Sequence, residues 1–154
     1  MNTYATYAVA AAATLLSFSA TSQVNAHCQV PCGIYADDTV LTDLHTHQST
    51  IAKAMKQINE LSKDAGKNAN QLTRWVNNKE EHANKIQETM NQYFLAQRLK
   101  LAEKESNKEA YLKKLTLIHE IIVLSMKCKQ TTDVENSDKL HKAIDNFTAA
   151  YKAK

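Results

Sequence analysis

Turn-forming residues are almost missing from this chain. Its 154 residues include 2 glycines and 1 proline, whereas β-rich folds place such residues at every turn. With 23% of its residues charged, a chain so poor in turn formers is expected to be all-α, and its length suits one domain. Charge of one sign is not concentrated either. The net charge is +3 and no dense Lys/Arg block occurs, which speaks against a nucleic-acid partner. Cysteine is scarce and odd in number, at three, so at least one stays outside any internal pair.

The first 26 residues contain no charged side chain. Their apolar stretch, residues 8–18, falls short of the ~20 residues that span a bilayer. It has the length of a signal-peptide apolar region, and Val24-Asn25-Ala26 supplies small residues at a cleavage position. Lys and Arg are absent before the apolar stretch, and no twin-arginine pair occurs. The expectation is a cleaved leader, residues 1–26, and a periplasmic or secreted mature chain, residues 27–154, with no stable membrane association. A propeptide removed in the cytoplasm by a dedicated protease is the alternative. Either cut needs a processing peptidase and turns the nitrogen of His27 into a free amine, which titrates near pH ~8 and can yield its proton to a metal.

Beyond residue 36 the apolar residues recur at helical spacings. Asp37-Asp38-Thr39 can cap a first helix carrying Val40, Leu44, Ile51, Met55, Ile58 and Leu61. Asp64-Ala65-Gly66-Lys67-Asn68 reads as a stop and turn. A second helix carries Leu72, Trp75, Val76, Ala83, Ile86, Met90, Tyr93 and Phe94 and runs to about Leu101, before a break at Ser106-Asn107. Tyr111, Leu115, Ile118, Ile122 and Met126 mark a third. Thr132-Asp133-Val134-Glu135 has the form of a capping box with Thr132 at the cap, opening a last helix with Leu140, Ala143, Ile144, Phe147 and Tyr151. Short connections make neighbours antiparallel, so the expected architecture is an up-down four-helix bundle over about residues 37–153.

The chemistry concentrates in residues 27–35, His27-Cys28-Gln29-Val30-Pro31-Cys32-Gly33-Ile34-Tyr35. His27 offers an amine and an imidazole, Cys28 a thiolate and an amide nitrogen, Cys32 a second thiolate. Two nitrogens and two sulfurs in a plane suit Ni(II). Pro31 fixes its own φ and Gly33 permits a conformation closed to other residues, so the segment can fold back. A Cys28–Cys32 disulfide is the competing reading in an oxidising compartment. Zinc also accepts these donors, but it prefers tetrahedral sites and does not change oxidation state.

This segment resembles the nickel superoxide dismutases, whose mature N-terminus reads HCxxPCGxY. His27, Cys28, Pro31, Cys32, Gly33 and Tyr35 match each fixed position. The resemblance implies a superoxide dismutase with one nickel ion per subunit, held by His27, Cys28 and Cys32, with Tyr35 screening the open metal face. It implies a homohexamer of four-helix bundles and Ni(III)/Ni(II) cycling. The glutamate and arginine that hold the axial imidazole in some members fall at Asp43 and His82, and Tyr93 resembles a second tyrosine near the family's site. A periplasmic nickel-binding protein without turnover is the alternative function, and a structural bundle with an N-terminal disulfide a third.

The remaining candidates read as bland. His45 and His47 are two apart and do not face each other on a helix. His119 and His141 are isolated in sequence, and no Glu-x-x-His pair of the di-iron bundles occurs. Cys128 reads as a small buried apolar residue, and Trp75 as core.

Overall fold

The computed structural model describes Pro31 and residues 33–153. These residues belong to the compact unit Pro31–Lys154. Helix α1 spans Asp37–Leu61. A tight turn, Ser62–Asp64, leads into α2, Ala65–Glu88, which continues as a π-helix over Thr89–Arg98. A short α3, Leu101–Ser106, is followed by α4, Lys108–Gln130, and α5, Val134–Lys152. No strand occurs among the described residues. The four long helices form the expected antiparallel bundle, and α3 packs on α4.

Cross-helix hydrogen bonds set the directions. Lys79 reaches the carbonyl of Cys128 while Gln87 reaches that of Ile122, so α2 and α4 run antiparallel. Asn59, near the end of α1, meets Thr132 before α5, while Tyr151 at the end of α5 meets Asp37 at the start of α1. No described helix is long and apolar enough to cross a membrane.

The core is built from α1 residues Leu41, Leu44, Ile51 and Met55, α2 residues Ala83 and Ile86, Met90 and Phe94 of the π segment, and Leu140, Ile144 and Phe147 of α5. Helix α4 departs from the expected stripe. Leu117, Ile118, Ile121, Leu124 and Cys128 point inward, while Tyr111, Leu115 and Ile122 are half-buried and Met126 is exposed. The helix is apolar most of the way round, so the spacing rule admits several faces and packing selects one. Trp75 and Val76 also lie nearer the surface than a core stripe requires.

The caps differ from expectation for local reasons. Asp133, not Thr132, caps α5, accepting from the Glu135 amide at 3.0 Å, and Thr131 in turn accepts from the Asp133 amide. Asp64 caps α2 by accepting from the Lys67 amide, so Gly66 is helical and the turn is shorter than the glycine suggests. Helix α1 has no side-chain cap. Its acidic residue Asp37 is occupied elsewhere, and the Ala36 amide donates instead to the Tyr93 hydroxyl at 3.0 Å. Lys79 is buried and donates to the carbonyls of Cys128 and Lys129, satisfying acceptors that the end of α4 leaves open.

Candidate functional site

His27, Cys28 and Cys32 lie outside the described residues. The described structure takes up the segment at Pro31, whose carbonyl accepts from the Ile34 amide at 2.7 Å. Gly33 within this turn has φ +82°, the left-handed region that side-chain-bearing residues rarely enter.

Two residues later the chain is clamped to the bundle. The Tyr35 ring meets the Tyr93 ring edge-on, with centroids 5.8 Å apart. The Arg98 guanidinium lies 4.3 Å from the centre of the Tyr35 ring, within cation–π range. Tyr93 donates to Asp37 at 2.6 Å. Arg98 grips the same carboxylate through Nε at 2.9 Å and through Nη2, and Tyr151 donates to it at 2.8 Å. Asp37 thus accepts four hydrogen bonds at the bundle end where α1 begins. Tyr93, Phe94, Phe147 and Tyr151 form a continuous aromatic cluster beneath, with centroid separations of 4.9–5.6 Å.

The π-helix explains how two donors five residues apart reach one carboxylate. On an α-helix, Tyr93 and Arg98 would point about 140° apart. The i→i+5 register, visible where the Leu99 amide donates to the Phe94 carbonyl at 2.8 Å, returns the fifth residue close to the face of the first.

The charges of this cluster are mutually adjusted. Burial pushes the Asp37 carboxyl upward, but the hydrogen bonds from Arg98, Tyr93 and Tyr151 outweigh it and hold the group below its ordinary value of 3.8. Burial, reinforced by the Asp37 charge, raises both Tyr93 and Tyr151 to about 12. Both hydroxyls therefore remain protonated and serve as donors at neutral pH.

Asp43 and His82 stand elsewhere. Asp43 is exposed on α1. His82, on α2, meets His47 of α1 with Nδ1 atoms 2.9 Å apart. His82 is separated from Tyr93 by about three helical turns. Burial first, and nearby positive charge second, holds both imidazoles below their ordinary value of 6.5. The sequence reading did not find Asp37, Arg98 and Tyr151 as a cluster. The only local signal was an acidic residue in a first turn, which fits an ordinary cap equally well.

Fold and site define an all-helical bundle whose N-terminal segment carries two thiols and a histidine directly before a tyrosine clamped to the bundle. The family model for nickel-containing superoxide dismutase matches residues 22–154, and the chain belongs to that family. No curated protein and no solved structure gives a significant match. Nickel follows as the cofactor and superoxide as the substrate. By their chemistry, the imidazole of His27 and the thiols of Cys28 and Cys32 would be able to hold nickel.

Proposed function

We propose that the mature chain, beginning at His27, dismutates superoxide to dioxygen and hydrogen peroxide with one nickel ion per chain, held by His27, Cys28 and Cys32. The observation that carries this reading is the HCxxPCGxY segment ending on Tyr35, whose ring is fixed by Tyr93 and Arg98. Nickel, when bound, supplies the one-electron couple between its divalent and trivalent states.

The chain's own residues do the rest. Cys28 and Cys32 provide anionic sulfur donors, which favour the higher oxidation state. Removal of residues 1–26 supplies the amine of His27. Tyr35 would screen the bound ion from solvent, and the Tyr93–Arg98–Asp37 cluster prevents its ring from swinging away. Arg98 is a positioning residue in this scheme, its charge being matched by the Asp37 carboxylate it grips. Asp43 and His82 fall by resemblance at the positions that hold the His27 imidazole. Because His82 is paired with His47 away from the Tyr93–Asp37 cluster, their part in the scheme rests on that resemblance and on the His82 variant below. Assembly into a homohexamer is part of the reading. Export to the periplasm or medium accompanies cleavage of the leader.

Metal analysis of active mature protein is expected to give about one nickel per chain, and mass analysis to give His27 as its first residue. Cys28→Ser and Cys32→Ser should each lose nickel and activity together. Dismutation surviving in either variant rejects the site. His82→Ala should lower turnover while sparing nickel content, and unchanged turnover removes His82 from the scheme.

A further inference from the structure

His45 and His141, 96 residues apart in sequence, face each other across α1 and α5 with ring centroids 5.3 Å apart. Asp145 lies one turn beyond His141 and completes a cluster in which one ligand atom from each residue lies within 4.8 Å of the others. The distances are instructive. His45 Nε2 stands 3.6 Å from Asp145 Oδ1, and His141 Nε2 stands 3.5 Å from Oδ2. Both are too long for hydrogen bonds. Neighbouring ligands around a tetrahedral ion with bonds of ~2.0 Å lie about 3.3 Å apart. Each imidazole faces its own carboxylate oxygen near that spacing. Since the three ligand atoms span up to 4.8 Å, an ion would draw these accessible side chains slightly together.

A buried amide fixes which histidine nitrogen is free. Gln48 is buried, and its Nε2 donates at 3.0 Å to the backbone carbonyl of Ser137, an acceptor only. That bond fixes the amide orientation, so Gln48 Oε1 is the atom facing His141 Nδ1 at 3.1 Å. Nδ1 must therefore donate. In the neutral ring the lone pair is left on Nε2, which faces the carboxylate oxygen of Asp145. Two lone-pair atoms face each other and repel unless a cation stands between them. An outer hydrogen bond that sets the imidazole tautomer is the arrangement found around metal-ligating histidines.

We propose that His45, His141 and Asp145 form a second metal site on the outside of the bundle, for a late first-row divalent ion such as Zn²⁺ or Ni²⁺, with water filling the remaining positions. His45 and His141 supply imidazole nitrogens and Asp145 one carboxylate oxygen, a donor set these ions accept. All three side chains are accessible, exposed to 31%, 51% and 55%, so an ion enters without opening the bundle. The site uses no residue of the N-terminal segment and stands independently of the nickel reading. Its affinity is set by three ligands on two rigid helices, which the core already holds in register.

The test is calorimetric titration of nickel-loaded mature protein with Zn²⁺, repeated on mature Cys28→Ser/Cys32→Ser chain to remove uptake by the N-terminal thiols. One further Zn²⁺ per chain is expected in both. His45→Ala and Asp145→Asn should each weaken it more than about 10-fold, while His119→Ala, at an exposed position on α4, should leave it unchanged. Asp145→Asn keeps the side-chain shape at an exposed position, so its effect is free of folding losses. Absence of the further equivalent overturns the proposal and leaves a proton as the cation between His141 and Asp145. Binding that survives both substitutions overturns it equally.

Discussion

Replacing Arg98 by Met removes the guanidinium that joins Asp37 to Tyr35 while keeping an unbranched apolar stem. Fully buried pairs cost about 3–5 kcal/mol to break, and exposed ones about 0–1. Arg98 and Asp37 are about one-quarter exposed, and Asp37 keeps its bonds from Tyr93 and Tyr151. A loss of about 2 kcal/mol from the pair is therefore reasonable. Loss of the contact with the Tyr35 ring adds about 0.5–1 kcal/mol. The total, about 3 kcal/mol, corresponds to a Tm lower by roughly 12 °C for a domain of this size. The assay is urea and thermal unfolding of metal-free mature protein, so nickel makes no contribution. Asp37→Asn and the double variant complete a cycle, and the double variant should be less destabilised than the sum of the singles. The acid limb is a second readout. The Asp37 carboxyl titrates below 3.8 in the folded state, so its contribution is present above that value and disappears as pH falls through the folded one. The stability gap between wild type and Asp37→Asn should close over that acid range. A loss below about 1 kcal/mol, or strict additivity in the cycle, would refute the clamp.

Further expectations concern the sides of the bundle. His47 and His82 titrate below 6.5 when folded, so the unfolded chain binds more protons and stability should fall as pH drops below 6.5. His47→Gln should flatten that slope in denaturant melts at successive pH values, and an unchanged slope would contradict the assignment. Lys79→Met should cost about 1–3 kcal/mol by leaving the carbonyls of Cys128 and Lys129 without their donor. Faster amide exchange at the end of α4 should accompany it, and unaltered exchange there would count against this capping role. Burial raises the Cys128 thiol to about 11. A thiol reagent at pH 8 should therefore modify it only upon unfolding, and rapid labelling of native protein would contradict its placement.

The parts of this protein written into neighbouring residues were legible in the sequence. The donors proposed for nickel lie within six consecutive positions, 27–32, where covalent geometry limits their separation whatever the fold. The four long helices followed from apolar spacing, because the 3.6-residue period is local, whereas the short α3 and the helical start at Ala65 did not. Gly33 was identified by the conformation only glycine enters freely, and it has φ +82°.

Tertiary structure decided whatever depends on the rotation and register of one helix against another. Helix α4 is apolar on too many sides for its sequence to name a face, and packing turned Leu117, Ile121 and Leu124 inward. A switch from α to π winding brought Tyr93 and Arg98 onto Asp37, and the i→i+5 register leaves no mark in residue spacing. His45 met His141, and His47 met His82, only because α1 lies between α5 and α2 at a fixed depth. Local sequence carries bond lengths and turn preferences, whereas contacts between residues 35 to 96 positions apart exist only after the core has set the helices in place.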